Sequence, residues 1–282
     1  MYNKREENIR IFEETMQLIK KDRSLSACVK ESQKNTVVYP ALKLSPLPQG
    51  KGKSCVVTVT KRRSFEAALN ANHAYPAKRI CVLNFASATN PGGGVKKGSS
   101  AQEESLCRCS TLYPVLNTDH LWKEFYKPNR EKHDPLHSDD CIYTPGIVIC
   151  RTDDNRSRLL DIGDRVSVDI ITCAAPNLRN KPGNAFNPEY GKSIKLSLEE
   201  QYNLHLSRAK HIMRTAACNN AEILILGAFG CGAFENDPRP VASAMNDALK
   251  EYGNHFTSVE FAVYCTERDT RNYSIFSKII GS

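Results

Sequence analysis

Hydrophobic residues recur along the chain with two periods. Between residues 4 and 21, Ile9, Phe12, Met16 and Ile19 fall at helical spacing with charges between them, which predicts an amphipathic helix. Residues 40–54, PALKLSPLPQGKGKS, are rich in proline, glycine and lysine and read as an extended connection. Beyond it, short apolar runs alternate with helical patterns. CVVTVT (55–60), RICVLNF (79–85), VSVDIITCAA (166–175), EILILGAF (222–229) and VEFAVYC (259–265) read as strands. IYTPGIVIC (142–150) holds Pro145 and Gly146 inside an apolar run, as suits an edge strand or a bulge. Helices are expected near 64–72, 101–112, 197–217, 238–251 and 272–280. Residues 118–140 and 151–165 are polar, lack a period and read as surface loops.

Near-continuous apolar strands separated by helices argue an α/β fold in which helices cover both faces of a buried sheet. The expected organisation is an amino-terminal helical extension over residues 1–50, packed on a domain spanning 51–282. In such folds ligands collect where loops leave the C-terminal ends of the strands.

Composition narrows the function classes. The 282 residues are 40% hydrophobic and 25% charged, and no apolar run approaches the ~20 residues a spanning helix needs. The start, MYNKREENIRIFEETMQ, has no apolar segment of the secretion-signal kind. A soluble, cytoplasmic protein with no membrane association is expected. The eleven cysteines include no C-x-x-C pair; Cys81, Cys150, Cys173 and Cys265 lie in apolar strand-like runs, as reduced core thiols do. Cys107 and Cys109 are the closest pair and no histidine is grouped with them, so no metal site is expected. A net charge of +8, scattered apart from Lys61-Arg62-Arg63 and Lys20-Lys21, reads first as a solvated surface and more specifically as suiting a partner that carries phosphates; it is too modest and diffuse for a pure nucleic-acid binder. GKGKS (50–54) is not a phosphate loop, because Leu47 stands where the upstream glycine is required.

Two segments carry candidate chemistry. In NPGGGVKKGSSAQEE (90–104), Ser100-Ala101-Gln102-Glu103 fits a capping box. Capping leaves the glycine run unexplained. Gly92, Gly93 and Gly94 suit close approach of the backbone to a ligand, with Glu103 and Glu104 beside it. Adjacent helical residues point ~100° apart, so the two acids are not expected to flank one bond; they would divide the work, one acting on a leaving oxygen and the other orienting sugar hydroxyls. In EILILGAFGCGAFENDPRP (222–240), an apolar strand feeds Gly227, Gly230 and Gly232, then Asp237 as N-cap and Pro238 at the first helical position. Strand, glycine loop and helix N-terminus form a phosphate-binding geometry, although the same glycines would equally make a tight turn. Phe229 reads as core, and Phe234 as the better candidate to stack on a sugar or base. ITCAAPNLRN (171–180) is a strand stopped by proline and is only weakly informative. In the tail CTERDTRNYSIF (265–276), Tyr273 and Phe276 form either a core-facing helix pair or a surface for a base.

The run Gly92-Gly93-Gly94, seven residues, then Gln102-Glu103-Glu104 resembles the signature loop of poly(ADP-ribose) glycohydrolases. The surrounding sequence is most similar to the short bacterial type, built on a macrodomain, and the resemblance continues through ITCAAPN and LGAFGCGAFENDP over roughly residues 50–280. It implies a three-layer α/β/α macrodomain with a mixed central sheet, hydrolysing ribose–ribose O-glycosidic bonds from chain ends without a cofactor. Carried over by position, Glu104 is the catalytic acid/base, Glu103 binds ribose hydroxyls, and Gln102 supports the loop. Gly92, Gly93 and Gly94 approach the distal ribose and diphosphate, and Asn90 lines the cleft. Gly230, Cys231, Gly232 and Ala233 form a second diphosphate loop, with Phe234 against the ribose. Tyr273 or Phe276 is the candidate for the adenine. The implied substrates are poly(ADP-ribose) or an ADP-ribosylated protein and the product is ADP-ribose, with the chain acting as a monomer that needs no nucleic acid. Removal of single ADP-ribose units, and ADP-ribose binding without catalysis, are the alternatives; a pure reader would need neither acid.

Overall fold

The computed structural model describes residues 3–41, 46–50, 52, 54–183 and 192–281. Residues 42–45, 51 and 53 of the expected connection lie outside that set. The chain opens with α1 (Lys4–Lys21), capped by Asn3, whose side chain accepts the Arg5 amide. Its buried face is Asn8, Ile11, Phe12, Thr15 and Ile19, so two polar residues sit where the apolar period marked Ile9 and Met16. Asp22 ends α1 and caps α2 (Arg23–Asn35) through the amides of Ser24 and Leu25. Hydrogen bonding to Arg165 holds the Asp22 carboxyl below its ordinary range. The extension is not wholly helical, because β1 (Val37–Tyr39) joins the sheet.

The sheet has seven strands in the order β1-β4-β5-β3-β6-β7-β2. Its parallel part comprises β5 (Val166–Cys173), β3 (Ile80–Phe85), β6 (Ile223–Leu226), β7 (Ser258–Ala262) and β2 (Val56–Thr60). β4 (Cys141–Ile149) runs antiparallel to β5 and to β1. The register shifts between Thr144 and Ile147, around Pro145 and Gly146, so the expected bulge is present. The strand is not an edge, however, because β1 covers it.

Alternate strand residues supply two cores. Val82, Ile170 and Ile225 face the layer of α1, α2, α3 (Ser64–Ala74), α4 (Gln102–Cys109) and α5 (Leu112–Leu116). Cys81, Ile171 and Leu224 face α8 (Leu198–Cys218), α9 (Pro238–Tyr252) and α10 (Arg271–Ile280). Each fully buried Leu, Ile or Phe contributes about 1.5–3 kcal/mol, so strands sandwiched on both sides dominate the stability. The expected loop at 118–140 is largely helical: α6 (Asp119–Leu121), a π turn at Trp122–Tyr126 and α7 (Lys127–Lys132). The π turn breaks the 3.6 period and buries the adjacent Phe125 and Tyr126, so no stripe shows in the sequence. Within 151–165, Arg151 bridges Leu159 and Asp153 is buried. Among the described residues, no helix is long and apolar enough to cross a membrane.

Candidate active site

β3 leads into the site, and Gln102 closes its end. The Gln102 Oε1 accepts the Phe85 amide at 2.8 Å, while Nε2 donates to the Leu83 carbonyl at 2.7 Å and to Ser64 Oγ at 3.0 Å. One side chain thus satisfies the backbone where the strand stops and pins the first turn of α4 over it.

That turn presents two buried acids, Glu103 at 3% exposure and Glu104 at 7%. Glu103 Oε2 accepts the Ser87 amide at 2.7 Å, and Glu104 Oε1 accepts the Gly94 amide at 2.8 Å. Glu104 Oε2 is buried without a hydrogen-bond partner among the described residues. A Cβ on Gly93 would lie 2.5 Å from Glu104 Oε1 and 2.9 Å from Glu103 Oε2. Both carboxylates therefore converge on Gly93, contrary to the divergence expected of neighbours on a helix. Three side-chain torsions per glutamate, at the open end of α4, overcome the angular separation. Burial, and then the nearby Glu104 charge, push the Glu103 carboxyl well above the ordinary range, against hydrogen bonds that favour its anion.

The capping-box expectation is overturned. The N-cap of α4 is Ala101 and no side chain caps it. Ser100 Oγ instead accepts from Asn8 Nδ2 at 3.1 Å, and Glu103 is drawn away to the Ser87 amide.

The second glycine loop forms the opposite wall of one cavity of about 900 Å³, lined by residues from Ser87 to Glu104 and from Ala228 to Phe234. Loops after β3, β5, β6 and β7 all reach it, as the strand-end rule requires. Asn236 holds this loop: its Nδ2 donates to the Pro176 carbonyl at 2.7 Å and the Gly230 carbonyl at 3.0 Å. Its Oδ1 meets His205 Nε2 at 2.9 Å. Burial pushes the His205 imidazole down to about 4, so it is neutral at pH 7. Asp237 caps α9 and Pro238 follows, as expected. The cap has a consequence for phosphate binding. Because the Asp237 carboxylate accepts the Arg239 amide at 2.9 Å, the helix end is already occupied by an anion. Any phosphate here must meet the amides of the loop itself. The Arg179 guanidinium lies 5.7 Å from the Phe234 ring centroid, and Arg179 Nε donates to Asn177 Oδ1 at 3.0 Å, which brings ITCAAPNLRN to the cavity as well.

The family model of the microbial-type PARG catalytic domain matches residues 6–152. The chain belongs to this family. Among solved structures, the poly(ADP-ribose) glycohydrolase (PARG) of Thermomonospora curvata superposes with a TM-score of 0.81 at 28% identity, covering 97% of this chain and 99% of that one. The same enzyme bound to the inhibitor ADP-HPD gives 0.80 at 29% identity, covering 97% and 99%. The PARG of Deinococcus radiodurans in complex with ADP-ribose gives 0.72 at 30% identity, covering 90% of this chain and 96% of that one. No curated protein sequence matches.

Of the positions the PARG resemblance implies, Asn90, Gly93, Gly94, Gln102, Glu103, Glu104, Gly230, Gly232, Ala233 and Phe234 line the cavity, whereas Gly92 and Cys231 do not. Gly92 packs behind the wall, where a Cβ would sit 2.7 Å from the Tyr113 ring. The Cys231 thiol donates back to the Phe229 carbonyl at 3.6 Å and burial raises its pKa. Asn90 contacts Arg130, whose guanidinium stacks 4.7 Å from the Trp122 ring. Neither Tyr273 nor Phe276 lines the cavity: Phe276 is fully buried against Phe261, and Tyr273 lies under Lys61. The aromatic that this end of the chain offers is Tyr264, 48% exposed, with the Arg63 guanidinium 4.1 Å from its ring centroid. Asp153 also lines the cavity and accepts the Phe65 amide at 3.1 Å and the Ser105 hydroxyl at 2.6 Å. Nothing in the polar run around it marks that role.

Proposed function

We propose that this chain hydrolyses the ribose–ribose O-glycosidic bonds of poly(ADP-ribose) from chain ends, releasing ADP-ribose, with Glu104 as its catalytic acid/base. The observation that carries the assignment is the state of the Glu104 carboxylate. Glu104 lines the cavity; one of its oxygens is anchored by the Gly94 amide, while the other is buried and has no hydrogen-bond partner among the described residues. A buried pair of carboxyls takes up its first proton at higher pH than an isolated acid does, and Glu103 shows that upward push.

In the reaction, Glu104 transfers a proton to the ribose oxygen of the leaving chain as its bond to the anomeric carbon breaks and an oxocarbenium-like sugar forms. The resulting carboxylate then takes a proton from the water that adds to that carbon, restoring the acid. Glu103 orients ribose hydroxyls. The loop at 230–233 receives the diphosphate, Gly93 and Gly94 let the backbone approach it without side chains, Phe234 packs on a ribose, and Tyr264 offers the exposed ring for the base. The T. curvata enzyme bound to ADP-HPD and the D. radiodurans enzyme bound to ADP-ribose support this ligand class. All eleven cysteines are free, which suits the reducing cytoplasm.

Incubation with labelled poly(ADP-ribose), and separately with mono-ADP-ribosylated protein, tests the reading. ADP-ribose released from polymer is the expected result. Release only from the mono-modified protein, or binding without release from either, would replace this reading with one of the two alternatives.

A further inference from the structure

The glycine loop that carries Gly94 rests on the amino-terminal helix. Asn8 is 1% exposed on the buried face of α1, and its Nδ2 donates to the Gly98 carbonyl at 3.0 Å and to Ser100 Oγ at 3.1 Å. The Gly98 carbonyl can only accept, which fixes the Asn8 amide nitrogen toward it. Gly98 has φ +74°, and a Cβ there would lie 2.2 Å from the Arg5 carbonyl, so loop and helix meet backbone to backbone. Arg5 Nε donates to the Lys97 carbonyl at 2.7 Å. From Gly98 the chain of contacts runs inward. The neighbouring Ser99 amide donates to the Gly94 carbonyl at 3.3 Å, and the Gly94 amide holds Glu104. Phe12 forms a second prop. Its ring meets Tyr113 edge-on at 5.0 Å, and Gly92 packs on Tyr113.

We infer that Asn8 is a positioning residue for the hydrolysis: through Gly98 and Ser100 it holds the Gly94 amide against Glu104. The inference rests on Glu104 being the acid/base. A buried asparagine on a helix face that could have been apolar is explained by the Gly98 carbonyl, which would otherwise be buried unpaired. Small displacements of a catalytic group cost rate far more than affinity, so turnover is where its loss should register.

The test uses the full chain carrying Asn8→Leu, which keeps volume and helix but removes the donor, and Asn8→Gln, which restores a donor one methylene further out. Turnover of labelled polymer, the Kd for ADP-ribose and amide exchange of residues 94–100 are measured. The expected result for Asn8→Leu is a fall in kcat on the order of tenfold to a hundredfold, KM and Kd within about twofold of the parent, and faster exchange in the loop. Asn8→Gln should recover part of the rate. If Asn8→Leu does not fold, Asn8→Ala, which also lacks the donor, carries the comparison. Unchanged kcat, or rate and ADP-ribose affinity lost together with no recovery in Asn8→Gln, would overturn the inference. A parent that releases no ADP-ribose at all would instead sink the glycohydrolase reading, and with it any role of Asn8 in turnover.

Discussion

Gly94 donates its amide to Glu104 Oε1, ten positions further along the chain, at 2.8 Å. The contact explains why glycines and glutamates occur together in one segment. The loop backbone at Gly93 packs against both carboxylates, so its lack of side chains serves the acids as well as any ligand.

Gly93→Ala should therefore injure the site from within. Its Cβ would meet both carboxylates inside 3 Å, at a backbone φ of +56°. We expect polymer hydrolysis to fall about a hundredfold or more, with a stability cost of about 1–3 kcal/mol. A variant with near-parental turnover would show that the pair does not depend on this geometry.

Gln102→Ala removes the three hydrogen bonds that close β3. Leaving the Phe85 amide and Leu83 carbonyl without this partner costs about 1–3 kcal/mol for each buried group. Thermal denaturation should show a fall in Tm of several degrees, with activity reduced in the surviving fold.

Glu103 links stability to pH. Its carboxyl in the folded protein titrates above the unfolded value, so its stabilising contribution is full below the unfolded pKa and is lost as pH rises through the folded one. Glu103→Gln escapes that loss. Its stability relative to the parent should grow with pH above about 4.3, at no more than about 1.4 kcal/mol per pH unit. Denaturant titrations at several pH values check this; a gap that does not widen contradicts it.

His205 acts at the other end of the scale. Its imidazole falls from 6.5 to about 4 on folding, so stability present above pH 6.5 is lost as pH falls toward 4, by about 3 kcal/mol in all. His205→Gln keeps an amide donor for Asn236 and should lose less over that interval. Equal acid sensitivity of the two proteins in denaturant titrations would refute the linkage.

Much of this architecture is visible in the residues. Buried parallel strands advertise themselves as apolar runs, and Asp237-Pro238 marks the start of α9 because capping is local. What escaped depends on distant partners. Ser100 and Glu103 match a capping box, but Asn8 and Ser87 compete for those side chains across the fold. The π turn at Trp122–Tyr126 erases the helical period. β1 is three residues long and gains its meaning only from pairing with β4. Asn8 and Thr15 look like the polar side of α1, yet both face carbonyls of the body, those of Gly98 and Arg108. Asp153 lies far from the acids in sequence and reaches the cavity only through tertiary structure.

Glu104→Gln tests the central claim most directly. The amide keeps the size of the side chain and an acceptor for the Gly94 amide, but it can neither give nor take the proton at the glycosidic oxygen. Labelled poly(ADP-ribose) turnover and ADP-ribose binding should be measured side by side on the parent and this variant. The account predicts loss of hydrolysis by on the order of a thousandfold or more, with ADP-ribose affinity retained. Turnover near the parental rate would contradict it.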